Sequence, residues 1–190
     1  MVKGVSADVK WMRKRWYDIE APDLFKNEFL GQTPADNDKK VIGRIVETNG
    51  LLLMGDPKKQ NRKLFFKIED VKGGVAKTRF YSYEILSHDM RRIIRRGGSN
   101  IYVRQQMQTK DNKKFIIKVI GFTATRCEAK KRAQLRNKMT EELTKTISEL
   151  TLDDVIMQVM FSKIQPNLKK ILNTIQPIKF IEVTKIENVK

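Results

Sequence analysis

Apolar and polar side chains alternate along five stretches in the middle of the chain, residues 41–48, 63–71, 75–83, 101–109 and 114–123. In the second, Leu64, Phe66 and Ile68 are interleaved with Lys63, Phe65, Lys67 and Glu69. A strand sends successive side chains to opposite faces, so this period of two predicts a half-buried strand. The gaps carry turn chemistry: Asn49-Gly50, Asp56-Pro57, Gly73-Gly74 and Lys110-Asp111-Asn112. Gly73-Gly74 predicts a tight hairpin, because the favoured two-residue loops need positive φ. Short strands at near-regular spacing predict a small barrel or sandwich, and closure would hide the edges of these basic strands.

The pattern changes on either side. Residues 1–40 scatter Trp11, Trp16, Tyr17 and Phe25 among Lys10, Arg13, Lys14 and Arg15 without a clean period. Ala21-Pro22, Gly31 and Thr33-Pro34 interrupt any long element there, so an extended, wrapping arm is expected. From Arg126 the spacing becomes helical, with Leu135, Met139, Leu143 and Ile147 four apart. Thr151, ahead of Asp153 and Asp154, reads as the N-cap of a following helix. Pro166 restarts a short helix over 167–174, Pro177 ends it, and 178–185 reads as a last strand. The expected fold is α+β: an N-terminal extended arm (1–40), a β-barrel core (41–125) and a C-terminal helical region ending in a strand (126–190).

Composition adds a partner to this picture. The 190 residues include 39 Lys+Arg and 22 Asp+Glu, a net charge of +17, and 40% are hydrophobic, enough for a core. Residues 55–138 alone hold 23 basic and 7 acidic side chains. A surface designed only for solubility mixes signs along the chain, so this concentration favours one extended binding face for a polyanion.

Two helices carry much of that charge. Over residues 86–96, Ser87 is a candidate N-cap and Gly97 a candidate C-cap. At about 100° per residue, Leu86, Met90, Ile93 and Ile94 share one arc and Arg91, Arg92, Arg95 and Arg96 the opposite one. Arginine at a helix C-terminus complements the dipole, but four on one face exceed that need and point to phosphate. In the second helix the charge order is inverted. Arg126, Lys130, Lys131, Arg132 and Arg136 crowd the N-terminal end, and Glu141, Glu142 and Glu149 the C-terminal end. The macrodipole prefers the reverse, and an external polyanion would compensate it. Lys110, Lys113, Lys114 and Lys118 in the last hairpin read as diffuse phosphate contacts, and Lys10, Arg13, Lys14 and Arg15 as cations threading the arm along the same polyanion.

Several chemistries are excluded or disfavoured. With one cysteine, Cys127, and one histidine, His88, the chain has no internal disulfide and no Cys/His zinc site. His88 has no obvious nucleophile or base beside it and reads as a surface or capping residue. Cys127 lies among cations that would favour its thiolate, yet a packed thiol is the simpler reading. Asp153 and Asp154 are ordinary first-turn acids. Trp11, Trp16 and Tyr17 are read equally as base-stacking residues or as anchors of the arm. No phosphate-binding glycine motif and no His-Glu-x-x-His sequence occurs. No apolar run approaches the roughly 18–20 residues of a membrane span. Residues 1–20 lack the apolar stretch of a secretory signal, and Asp8, Asp18 and Glu20 disfavour a mitochondrial presequence. No catalytic residue, metal site or cofactor is expected.

One run narrows the polyanion further. Arg15-Trp16-Tyr17-Asp18-Ile19-Glu20-Ala21-Pro22-Asp23-Leu24-Phe25 resembles the opening block of the archaeal and eukaryotic small-subunit ribosomal protein family S-three-A (e-S-one). Gly31-Gln32-Thr33-Pro34-Ala35-Asp36 with Ile42-Gly43-Arg44 is similar to its next block. Phe66-Lys67-Ile68, Val71-Lys72-Gly73-Gly74 and Thr78-Arg79-Phe80 resemble a third, and Arg91 through Arg96 and Phe122-Thr123 with Arg126 resemble later ones. The resemblance runs over about residues 10–165. It implies a β-barrel with flanking helices and no catalysis. It also implies a cytoplasmic, ribosome-bound protein of the small-subunit platform near the mRNA exit side, in contact with ribosomal RNA, neighbouring ribosomal proteins and, near the exit channel, messenger RNA. Two departures stand out: Glu128 interrupts a segment usually more uniformly basic, and Lys190 is reached without the longer basic tail of eukaryotic members. The other reading of the residues is a free nucleic-acid chaperone or translational regulator, with shallow, sequence-blind binding. A nuclease would need clustered carboxylates for a metal, which the 7 acids of the basic window do not suggest.

Overall fold

The computed structural model describes residue 11, residues 14–94 and residues 97–188. Its elements make an α+β fold of eight strands in one mixed sheet and five α-helices among those residues. In chain order they are β1 (Arg15–Glu20), β2 (Phe29–Ala35), β3 (Ile45–Asn49), α1 (Gly50–Met54), β4 (Arg62–Lys72), β5 (Val75–Ile85), α2 (Ser87–Ile93), β6 (Asn100–Gln108), β7 (Lys114–Thr123), α3 (Ala129–Ser148), α4 (Leu152–Met160), α5 (Ile164–Leu172) and β8 (Ile178–Asn188).

β5 is the branch point. One of its sides pairs with β4 along its whole length, in a hairpin closed by Gly73 and Gly74, both at positive φ (59° and 86°). The β4 partner continues to β3. The first residues of β5 also run parallel to β1, which carries β2, and its last residues pair with β8, which leads to β7 and β6. Among the described residues β2, β3 and β6 each have a strand on one side only, so the sheet is open where a closed barrel was expected.

Of the stretch expected as an extended arm, residues 15–35 contribute the β1–β2 hairpin. Tyr17 and Ile19 alternate inward and close a small cluster with Ala35, Val41, Ile68 and Ala76. The strand expected at 41–48 begins later, at Ile45, after a 3-10 turn over Asp38–Lys40. Asn49-Gly50, expected as a turn, instead opens α1, with Gly55 at φ 66° ending it. The remaining expected strands are present within one or two residues. The terminal strand runs longer than expected and lies inside the sheet, between β7 and β5.

The main core lies where α3, α4 and α5 cover the β6–β7–β8 wing. Leu135, Met139, Leu143 and Ile147 are fully buried along one stripe of α3, against Ile101, Val103 and Ile181. Gly121 leaves room for the Met139 methyl, which would stand 3.2 Å from an added Cβ. At the Lys118/Val119 register shift β8 carries an extra residue, Thr184, and from there on β7 is buried on both faces, Val119 and Ile120 alike. Thr151 caps α4 by accepting from the Asp154 N–H at 3.2 Å. α5 begins at Ile164, so Pro166 sits inside its first turn, where a missing N–H costs nothing.

Candidate nucleic-acid interface

The segments joining the two basic helices to the sheet meet at Ser99. Its N–H donates to Thr123 Oγ1 at 2.8 Å, and its Oγ accepts the Cys127 N–H at 3.0 Å. Thr123 returns a backbone bond to the Ser99 carbonyl at 3.1 Å. The residues that leave α2 are thereby tied to those that enter α3. Gly98 is the closest approach: a Cβ there would lie 2.1 Å from the Thr123 carbonyl oxygen and 2.6 Å from the Phe122 ring. Below the junction, Phe122 stacks on Phe180 at 5.6 Å.

α2 is shorter than its sequence pattern suggested. It begins at Ser87, with Leu86 as an N-cap that makes no side-chain cap bond, and ends at Ile93. The Ile94 cap turns to extended backbone, so Gly97, at φ 101°, lies in the loop beyond the helix. Arg91 and Arg92 therefore occupy its last turn and both are exposed. Arg92 is 3.9 Å from Asp89, too long for a strong pair, and its side chain is 81% exposed. Arg95 and Arg96, like Lys10 and Arg13, lie outside the described residues. Met90 is the buried anchor of the helix.

In α3 the inverted charge order is real. No acid lies in the first turn, and the Glu128 N-cap makes no side-chain cap bond. Arg126, Lys130, Lys131 and Arg136 are exposed and have no carboxylate within ion-pair distance among the described residues. Arg132 is half-buried, with its Nε covered and unbonded. One turn later the pairing changes: Lys138 reaches Glu142 at 3.4 Å, and Glu142 also holds Lys145 at 3.2 Å. The hydrogen bond from Lys145 keeps the Glu142 carboxyl below the ordinary glutamate range. The chain thus neutralises its own cations on the docked half of α3 and leaves those at the projecting end unpaired.

The other candidate cations fall elsewhere. Lys113 and Lys114 lie at the tip of the β6–β7 hairpin, the far end of β7 from Thr123, about 30 Å away at strand spacing. Lys14 and Arg15 are exposed at the start of β1, with Lys14 Nζ 4.3 Å from the Trp11 ring centroid. The aromatics of this segment divide. Tyr17 is buried and donates to Asp38 Oδ1 at 2.6 Å, which makes it an anchor, whereas Trp11 and Trp16 are 56% and 60% exposed.

Sequence reasoning missed the inward-facing arginines. Arg62, within the basic window, is 13% exposed in its side chain. Its guanidinium donates to the Val159 and Met160 carbonyls at 3.2 and 2.8 Å, to Ser162 Oγ at 2.9 Å and to Glu182 Oε1 at 2.8 Å. It caps the C-terminal carbonyls of α4 and ties them to β4 and β8. Burial pushes the Glu182 carboxyl up despite this cation, and burial with Arg62 pushes the neighbouring Lys59 amine down. Arg44 is similarly engaged, with Thr33 Oγ1 and the Pro34 and Lys40 carbonyls. No local pattern distinguishes such residues from surface arginines. His88 is exposed, 3.9 Å from Asp89. Among the described residues no group of three metal-ligating side chains occurs, and no helix is long and apolar enough to cross a membrane.

The family model for the Ribosomal S3Ae family matches residues 3–190. The chain belongs to this family. It is 36% identical over 176 residues to the small ribosomal subunit protein eS1 of Desulfurococcus amylolyticus, covering 93% of this chain and 83% of that protein. The eS1 protein of Staphylothermus marinus is 35% identical over the same shares. That of Aeropyrum pernix is 32% identical over 189 residues, covering 97% of this chain and 88% of its own length. Membership of the S3Ae family spans β1 through β8, so the Ser99 junction and both basic helices lie within the matched residues.

Proposed function

We propose that this S3Ae-family chain is a structural, non-enzymatic constituent of the small ribosomal subunit, bound to ribosomal RNA in the cytoplasm. The observation that carries the RNA contact is the unpaired basic end of α3, fastened beside α2 through Ser99. Arg126, Lys130, Lys131, Arg132 and Arg136 grip phosphates from one side, and Arg91, Arg92, Arg95 and Arg96 from the other. Arginine's planar fork takes phosphate oxygens in pairs, whereas the lysines act as point charges. Lys113 and Lys114, at the far hairpin tip, stand apart from this grip, and Lys10, Arg13, Lys14 and Arg15 follow the RNA along the N-terminal segment. The exposed Trp16 ring is free to stack on an unpaired base.

The finer reading follows the family. The protein sits on the platform near the mRNA exit side, beside other ribosomal proteins and within reach of messenger RNA. Its three parts are an N-terminal stretch (1–40) that lends β1 and β2 to the sheet, a core (41–125) whose strands curl toward a barrel, and a helical region (126–190) that returns β8 to the sheet. Bulges at Phe65/Phe66, Ile68/Asp70, Lys118/Val119 and Phe122/Thr123 support that curl, since each bends its strand.

Hydroxyl-radical footprinting on small-subunit RNA tests the RNA contact. The expected result is a confined protected site that is lost when Lys130, Lys131 and Arg136 are replaced together by Gln. Diffuse protection, unchanged by the triple substitution, would favour a free nucleic-acid chaperone.

A further inference from the structure

A second feature lies on the opposite side of the sheet from the helices. Two cavities adjoin there, of about 410 and 560 Å³, sharing Tyr81 and Asn188 in their walls. The larger has an apolar floor of Ile45, Phe65, Tyr81 and Ile116, with Ile45 49% exposed. The smaller opens at the β6–β7 hairpin tip and gathers Lys67, Arg79, Lys113 and Lys114 around a single carboxylate, Glu69.

The pairing register makes the charge arrangement informative. Lys67 and Arg79 are directly opposite on β4 and β5, a like-charge cross-strand pair that costs stability. The same problem arises on β7 and β8, where Lys118 faces Lys185. There the chain solves it: Glu187 lies 2.6 Å from Lys185 and 3.6 Å from Lys118, and Glu84 lies 3.4 Å from Lys185. At the Lys67–Arg79 pair, Glu69 reaches Arg79 at 3.2 Å, and among the described residues no carboxylate is in ion-pair range of Lys67, Lys113 or Lys114. One end of the groove is self-neutralised over an apolar floor, and the other holds more cations than its one carboxylate pairs.

We propose that this groove receives an extended protein segment that places a bulky apolar side chain in the Ile45–Phe65–Tyr81–Ile116 hollow and an acidic side chain among Lys67, Lys113 and Lys114. A nucleic-acid strand fits less well. Its phosphates continue at every nucleotide, and beyond the cationic end they would meet Glu84 and Glu187. Two of the four floor residues are aliphatic, which suits a protein side chain better than a stacked base. The inference rests on the ribosomal reading, which makes neighbouring proteins the source of such a segment.

The test is photo-cross-linking within purified small subunits. p-Benzoylphenylalanine replaces Tyr81 in the full chain and, in a second version at an exposed position, Lys113. Both should cross-link to a peptide that carries an acidic residue close to a bulky apolar one. The Lys67→Glu, Lys114→Glu background should lower the yield about tenfold through like-charge repulsion of the acid. Cross-links to RNA, no cross-links from either position, or a yield indifferent to the charge reversal would each overturn the proposal. A chain that sediments free of small subunits would overturn the ribosomal reading, and this inference with it. A chain that co-sediments but fails to cross-link overturns only the groove's occupant.

Discussion

Arg62 and Arg92 are identical side chains with opposite roles, and their environments say why. Arg62 spends its donors on two helix-end carbonyls, Ser162 and Glu182. Its replacement by Ala strands a half-buried carboxylate and uncaps α4, for an expected loss of about 3 kcal/mol. Urea unfolding would measure this, and the salt dependence of RNA binding by the folded fraction should not change. Arg92, 81% exposed with one distant acid, is expected to behave in the reverse manner. Arg92→Ala should leave the urea midpoint unchanged, weaken binding across RNA sequences and lower the salt slope by about one unit. An unchanged slope would place Arg92 outside the interface. The two residues also mark a limit of reading charge along a sequence. The 55–138 window correctly locates the basic excess, but part of it turns inward, and only tertiary contacts reveal which part.

At the scale of elements, strands were legible wherever one face is buried and one wet, as in β4, where Leu64, Phe66 and Ile68 are fully covered and their neighbours are not. The β1–β2 hairpin was less legible, because Pro22, Gly31 and Pro34 look like breaks. The alternation of Tyr17 and Ile19 was its only signal, and it is short. The length of α2 was overestimated because its apolar arc continues through Ile94, where the backbone has already turned extended. The Ser99 junction had no sequence signature, since it joins positions 24 and 28 residues apart. Gly98→Ala tests that junction without changing any charge. The added methyl meets the Thr123 carbonyl at 2.1 Å, so overpacking of about 1–3 kcal/mol is expected, with weaker RNA binding from helices set apart. Full affinity in Gly98→Ala would mean that α2 and α3 act independently.

The β5–β8–β7 network supplies a pH test at the same scale. The hydrogen bond from Lys185 holds the Glu187 carboxyl below its ordinary value of 4.5. The folded state therefore binds fewer protons there than the unfolded one. Its contribution is complete above the ordinary value and is lost as pH falls through the folded value. Glu182 has the opposite sign. Burial raises its carboxyl, so its effect is a loss of stability as pH rises above 4.5. Thermal melts from about pH 6 down to about pH 3 should show a shallower acid-side loss in Glu187→Gln than in the parent chain. Parallel curves would mean that the Glu187 pairing contributes nothing to acid stability.

For the whole molecule, a net charge of +17 repels itself, and among the described residues the fold leaves unpaired cations at the α2–α3 end, the hairpin tip and the start of β1, among other places. Bound polyanion relieves that repulsion and stabilises the folded state by mass action, so the chain should melt at a higher temperature with small-subunit RNA than alone. As proposed, this S3Ae-family chain is a built-in part of the small subunit. Sedimentation of a gently prepared native lysate tests it most directly. The chain should run in the small-subunit and whole-ribosome fractions, retained at moderate salt and released only as salt rises well beyond it. A chain found mainly at the top of the gradient at low salt would mean that it is no fixed part of the subunit.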